Sequence, residues 1–384
     1  MALQIIAQSV YTPITSNVGV TAVKPGATSL ARPPAVTGGA NPPSIQSSTF
    51  WKNKFDAGRS FYYNTEALPL SQSSDEFDYY NLAYSIDEFT SMFEGSGDTS
   101  YLDQVLTLVI NMINNARLSS TIPSSQFKDG FMGWVSFKNG QNGDEQALYE
   151  IYNWRYVTRL LDAMKKNTAV FNNSTYRAKY DQILAFTEVN IFDKWYTRGP
   201  NTWIYRSVTH ISCHFAYIAL YLRKHTLNTT RQQRCDTIRT NIESVGLPNA
   251  LPDNMRSKIT ASLGRAVSGA YSWNSHWNDT SRPGQDVAHA NGDITFICES
   301  FDNNTGVWTQ TDIDRFVKTL TQLCMPTHAL YVDGTGTDNG WIADGWPKLG
   351  RFSVPCQQAL EVYDVQGQGQ YMAMMYVNAK RWGV

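Results

Sequence analysis

Charge is scarce in this chain. Asp, Glu, Lys and Arg make up 17% of the 384 residues, against a usual share of about 25%, and their formal sum is only −1. Such a balance carries no basic stripe for nucleic acid and no field that draws an anionic membrane. Long apolar runs are missing as well: no segment reaches the ~18 consecutive apolar residues of a membrane span. The start, MALQIIAQSVYTP, lacks the basic region and the apolar length of a secretory signal. Cysteine is sparse and scattered. The five (Cys213, Cys235, Cys298, Cys324 and Cys356) form no CxxC pair, which argues against a zinc ribbon or a dithiol redox site. Their odd number leaves at least one thiol free, with one disulfide still open. Cys213, Cys298 and Cys324 lie among apolar residues, where buried thiols are expected. There is no GxSxG elbow, no P-loop and no GxGxxG turn.

What fills the gap is aromatic and uncharged polar. Aromatics are 13% of the chain, beside abundant Asn, Ser and Thr. Residues 12–48 are rich in Pro, Gly, Ser, Thr and Ala, with only Lys24 and Arg32 charged, and read as an extended arm. From about residue 76 the period becomes helical. In 101–118, Leu102, Val105, Leu106, Val109, Met112 and Ala116 share one face, and in 145–165 Leu148, Ile151, Leu160, Leu161 and Met164 do the same. Comparable stripes cover 176–195, 207–223, 229–244, 287–300, 311–324 and 356–378. All fifteen prolines fall outside these stripes, as they must if the stripes are helices. No run of strand alternation competes. The expectation is an arm over 1–50 and one all-α domain over 51–384, built as an (α/α) toroid of antiparallel helix pairs with cleft-forming loops.

Chemistry concentrates in loops and helix ends. FKDGFMGWVSFK, YSWNSHWND and LYVDGTGTDNGWIADGWPKLGR combine Trp and Tyr with Asp, Asn and Gly. That mixture suits a sugar, whose apolar ring face stacks on an aromatic while its hydroxyls take hydrogen bonds; buried packing is the plainer reading of the same rings. Trp134 and Trp277 are the candidate stacking rings. Four segments carry further candidates. WIYRSVTHISCHFAYIALYLRKH sets His210 and His214 four apart, with Tyr217 and Tyr221 on the same helical face. HISCH lacks the Glu of HExxH, so zinc is weakly supported; a packed helix face or a wall for proton transfer and carboxylate binding are the other readings. GRAVSGAYSWNSHWND gathers Arg265, Tyr271, Trp273, His276 and Trp277. RPGQDVAHANGDITFICES opens a helix with Asp286, His289, Asn291 and Asp293, for capping or for a cleft rim. EQALYEIYNWRYVTR interrupts an apolar stripe with Asn153 and Arg155, which suit a wet cavity better than a dry core.

With DGFMGWVSF, ALYEIYNWRYVTRLL, THISCHFAYIALYL, GRAVSGAY and QDVAHANGDITFICES in this order, residues 75–380 resemble the toroid-fold polysaccharide lyases acting on polyuronates, most closely the group of glucuronan lyases and alginate lyases. The resemblance implies β-elimination at a uronate: loss of the C5 proton, stabilisation of the charge on the adjacent carboxylate, and protonation of the leaving O4. It assigns proton transfer to Tyr271, with Tyr217 as the competing tyrosine. Arg265 lowers the Tyr271 pKa or grips the carboxylate. His214, backed by His210, is the second base or neutraliser, and Asn153, Arg155 and His289 hold the sugar. No cofactor or metal is expected, although Asp333, Asp338 and Asp344 leave room for a structural calcium. The implied partner is an acidic polysaccharide, neither nucleic acid nor membrane, and a secreted monomer is expected. The sequons at Asn172, Asn173, Asn228, Asn278 and Asn303 are compatible with that route. Two alternatives remain: a toroid glycoside hydrolase using two carboxylates among Asp129, Glu145, Glu150, Asp286, Asp333 and Asp344, or a non-catalytic glycan-binding module tethered by the arm.

Overall fold

A computed structural model describes residues 44–248, 254–264, 266–277, 279, 284–337, 342–363 and 368–384. It is all-α. The principal helices are α1 (Ser48–Tyr62), α2 (Glu76–Ser96), α3 (Thr99–Asn115), α4 (Ala147–Lys166), α5 (Ser174–Phe186), α6 (Thr209–Leu222), α7 (Thr229–Thr240), α8 (Val287–Asp302), α9 (Gln310–Lys318), α10 (Val354–Tyr363) and α11 (Gly369–Trp382). Among the described residues the strands are one antiparallel pair of two residues each, β1 (Arg117–Leu118) and β2 (Met132–Gly133).

Local chemistry sets the helix starts. Asp75, Asp98, Asn173, Asn228 and Asp286 each precede a helix and accept its first free N–H groups, which have no partner inside the helix. Thr309 and Asp312 form a reciprocal capping box at α9. At the far end of α2, Gly97 takes φ 71°, a left-handed turn that costs glycine nothing. Two sequence expectations need correction here. Helix α1 was not anticipated, because its buried stripe is only Trp51, Phe55 and Gly58 beside the proline-rich arm. The stripe at 356–378 is two helices rather than one, and Pro355, expected in a connection, sits in the first turn of α10, where its missing N–H costs nothing.

Six elements pack in a defined order. Helix α2 lies against α4, α4 against α6, and α6 against α8; α8 meets a 3₁₀ turn at Trp346–Arg351, that turn meets α11, and α11 returns to α2. Further helices pack against these: α1 on α11, α3 on α2, α5 on α3 and α4, and α7 on α6. The apolar side chains form one continuous cluster from Trp51 to Ala379, yet buried ion pairs also join these elements. Arg159 joins Asp87 and Glu94, while Glu299 receives Lys348 and Arg351. All five cysteines are buried and unpaired, so the possible disulfide is not formed. No described helix is long and apolar enough to cross a membrane.

The segment after Ala343 is fastened to α8 by three hydrogen bonds, two to a side chain and one to the backbone. Gly345 N–H and Trp346 N–H both donate to Asn291 Oδ1, at 2.9 and 3.2 Å, and the Trp346 indole donates to Val287 O at 3.0 Å. A Cβ on Gly345 would lie 2.0 Å from Asn291 O, a backbone atom that cannot rotate away. Gly345→Ala is therefore expected to cost about 3 kcal/mol, the upper end for an overpacked site, measured as a lower denaturant midpoint at unchanged slope.

Candidate active site

Helices α2, α4, α6 and α8 and the segment before the 3₁₀ turn enclose a cavity. It is lined by Tyr80, Tyr84, Leu148, Tyr152, His210, His214, Ala288, His289, Gly292 and Asp344. The histidines and tyrosines come from regular helix spacings. Tyr80 and Tyr84 lie four apart on α2, and His210 and His214 four apart on α6, so each pair shares a face. The free volume is about 40 Å³. A buried water needs roughly 10–15 Å³ of such space, so the enclosed part holds a few waters, or a few polar atoms at one edge of a larger ligand that lies outside it. Tyr80, Tyr84, Leu148, His210, Ala288 and His289 are only partly buried, which leaves that side open.

Arg155 organises the inner wall. It is fully buried and stacked between the Tyr152 and Tyr156 rings, 4.2 and 4.4 Å from their centroids. One guanidinium nitrogen reaches His214 Nδ1 at 3.0 Å and another reaches Asp344 Oδ2 at 3.2 Å. Arginine has only donors, so His214 Nδ1 must accept, and a neutral imidazole then carries its proton on Nε2. Burial, then the Arg155 charge, hold the His214 pKa well below its usual value, so the ring stays neutral. Gly292 makes room for it: a Cβ there would lie 2.9 Å from His214 Cε1.

On the opposite side, one residue both caps a helix and orients a histidine. Asp286 precedes α8 and accepts the His289 backbone N–H at 2.8 Å, and the same carboxylate lies 2.8 and 2.9 Å from His289 Nδ1. Burial opposes the charge on His289, but the Asp286 hydrogen bond and charge outweigh it and raise its pKa; conversely, His289 outweighs burial at Asp286 and lowers that pKa. The His289 ring stacks on His210 at 4.4 Å between centroids. Burial and the neighbouring His289 charge drive His210 down to about 3. Among the described residues no group of three His, Cys, Asp or Glu is arranged to hold a metal ion.

Two tyrosines and an acid complete the wall. The Tyr152 hydroxyl lies 3.1 Å from that of Tyr84 and 3.4 Å from Asp344 Oδ2, and Tyr156 donates to the same oxygen at 3.3 Å. Burial raises the pKa of Tyr84 and Tyr152. It also raises that of Asp344, although Arg155 opposes the shift.

Of the residues singled out from sequence, His210, His214, His289 and Arg155 come together here. The others do not. Tyr271 is buried in a separate polar group: its hydroxyl donates to Asp312 at 2.6 Å and accepts from Arg315 at 3.0 Å. Burial and Asp312 raise its pKa, opposite to the lowered value a Tyr base needs, and Asp312 is already committed to the α9 capping box. Arg265, its expected partner, lies outside the described residues. Tyr217 is buried against Tyr156 and Tyr221, outside the cavity lining. Asn153 spends its amide on Tyr79 O at 2.7 Å, tying α4 to α2. Trp134 and Trp277 are core residues and not stacking platforms. Trp134 packs on Trp154 and donates to Met112 O at 3.0 Å; Trp277 donates to Arg206 O at 2.8 Å. Of the calcium candidates, Asp344 is drawn into the cavity wall, Asp333 accepts from Thr335 in its own loop, and Asp338 lies outside the described residues.

Sequence reasoning missed Tyr80, Tyr84 and Tyr152 as lining residues. Tyr80 and Tyr84 carried a signal in their spacing of four, and Tyr152 in its place three residues before Arg155. Asp344 was noticed only as one of several loop carboxylates. No family model matches the chain, and none of the curated proteins or solved structures matches it either.

Proposed function

We propose that the chain is a polysaccharide lyase that cleaves a 1,4-linked uronic-acid polymer, glucuronan or alginate, by β-elimination, and that its inner elements form an (α/α) toroid. The unbroken packing order from α2 through α4, α6, α8, the 3₁₀ turn and α11 back to α2 supports the toroid. The observation that carries the activity is the pairing, across one small cavity, of a fixed donor with a carboxylate-oriented histidine. His214 is locked as an N–H donor by Arg155, and His289 is oriented by Asp286.

In this reading, one edge of a uronate enters from the open side. Its carboxylate meets His214 Nε2–H with the Arg155 charge directly behind. That stabilises the enolate-like intermediate, because donors fixed before reaction need no reorganisation. His289, deprotonated at Nε2 while Nδ1–H donates to Asp286, takes the C5 proton, and the Tyr84–Tyr152 hydroxyl pair delivers a proton to the leaving O4. Tyr271, the base assigned by resemblance, has no part in this scheme. Tyr271→Phe should keep lyase turnover within about twofold while losing roughly 1 kcal/mol of stability from its buried hydrogen bonds; a large fall in rate with intact folding would return it to the site.

The runner-up, a glycoside hydrolase, needs two facing carboxyl groups. Among the described residues Asp344 is the only carboxylate that lines the cavity, so this reading is the weaker one. The test is to incubate the protein with glucuronan, alginate and a neutral glucan, following ultraviolet absorbance of unsaturated ends alongside reducing ends. Absorbance rising with reducing ends on a polyuronate is expected. Reducing ends alone would establish a hydrolase, and binding without either would establish a glycan-binding module. An extracellular, monomeric enzyme acting without a cofactor belongs to the same proposal.

A further inference from the structure

Asp344 has a buried carboxylate oxygen that no described residue bonds. Its Oδ2 is crowded, accepting from Arg155, Tyr156 and Tyr152 at 3.2, 3.3 and 3.4 Å. Its Oδ1 is buried and has no hydrogen-bond partner, although the side chain is only 2% exposed and lines the cavity. A buried acceptor without a donor is costly, and protein interiors seldom leave one so. A hydroxyl that entered the cavity would satisfy it. The group cannot simply turn to find another partner, because three donors hold Oδ2 and the chain on its C-terminal side is fastened to Asn291 through Gly345 and Trp346. A second carboxylate suits this position less well than a hydroxyl, since two carboxylates can meet there only by taking up a proton. The cavity is thus divided: Asp344 beside the tyrosines takes a donor, and the His214 and His289 side takes the anionic group.

We infer that Asp344 is a specificity residue, which requires a free ring hydroxyl on the sugar whose carboxylate meets His214. The inference rests on the uronate reading of the site. It goes beyond that reading by fixing which edge of the ring carries recognition. A uronate lacking that hydroxyl leaves Asp344 Oδ1 unpaired in the complex. Sites built to bond a hydroxyl reject the analogue lacking it far more strongly than apolar pockets reject a missing methylene.

The test uses calorimetric binding of saturated uronate trisaccharides to the full chain, in glucuronate and mannuronate series. The central ring carries all its hydroxyls, or is 2-deoxy, or is 3-deoxy. With the wild type, one of the two deoxy forms should bind at least about tenfold more weakly than its parent. Removing the hydroxyl adds no bulk, so steric exclusion does not produce this result. In Asp344→Ala the same penalty should shrink to less than about twofold. The double variant Arg155→Met/Asp344→Ala, which leaves no uncompensated buried charge, should behave likewise if the single variant does not fold. Equal binding of parent and deoxy forms by the wild type, or a penalty that persists in both variants, overturns the role of Asp344 alone. Failure of the wild type to bind any uronate in either series overturns the reading of the site, and this inference with it.

Discussion

Asp286→Asn should lower kcat/KM on a polyuronate by about 10²- to 10⁴-fold, the range a positioned general base contributes, with little loss of folding. The Asn side chain can still cap α8, so the helix start survives. The charge that holds His289 is what disappears. The sign of the pH effect follows from that contact. In its proposed role as base, His289 acts only when deprotonated, so the rate should rise with pH through its folded pKa. Asp286 raises that pKa above the ordinary value, which is about 6.5. The acid limb of the wild-type profile therefore has its midpoint above about 6.5, and in Asp286→Asn the limb moves to lower pH while the plateau falls. A structural role for Asp286 would lower the plateau through loss of folded protein and leave the limb in place. The kcat/KM profile reports the free enzyme, which is the state described here.

Arg155→Met is expected to have the larger combined effect. Two quantities should fall together. Stability should drop by about 3–5 kcal/mol, because the Asp344 carboxyl is left buried without its cation. Activity of the fraction that folds should drop by more than about 10²-fold, since the charge behind the substrate carboxylate is gone. A third readout separates catalysis from folding. In the wild type, ¹⁵N NMR of the His214 ring should show a protonated Nε2 and a bare Nδ1; in Arg155→Met that preference should be lost. Arg155→Lys is the informative companion. A lysine keeps the charge, but a compact ammonium does not reproduce a planar fork bonded to His214 and Asp344 at once while stacked between two tyrosines. Its stability should recover more than its rate.

Much of this site could be read before the fold was known, and the reason is local geometry. His210 and His214 share a helix face by spacing alone. Asp286 and His289 are three apart at a helix start, the separation at which a cap residue meets the side chain of the first turn. Arg155 stood out because a charge interrupted an apolar stripe. What failed was long-range. Tyr271 looked catalytic because Arg265 and two tryptophans are near it in sequence, but its partner, Asp312, is 41 residues further on. Asp344 lies 192 residues from Tyr152, and no local pattern signals that contact. Trp134 and Trp277 show the same difficulty for aromatics. A Gly-rich neighbourhood suggested exposed rings, whereas each indole is buried with its N–H on a backbone carbonyl. The helices were legible because a 3.6-residue period survives wherever one face is buried, and α1 escaped because its buried face is too short to establish one.

In the proposed reaction the cavity around His214 and His289 breaks a uronate chain by elimination, without adding water to either end. Digestion of a polyuronate in heavy-oxygen water, followed by mass spectrometry of the fragments, tests it most directly. Elimination should give fragments with an unsaturated end and no heavy oxygen fixed at the cleavage point by the reaction, produced by the wild type and largely lost in Asp286→Asn. Saturated fragments carrying heavy oxygen at the cleavage point would contradict it and make the protein a hydrolase.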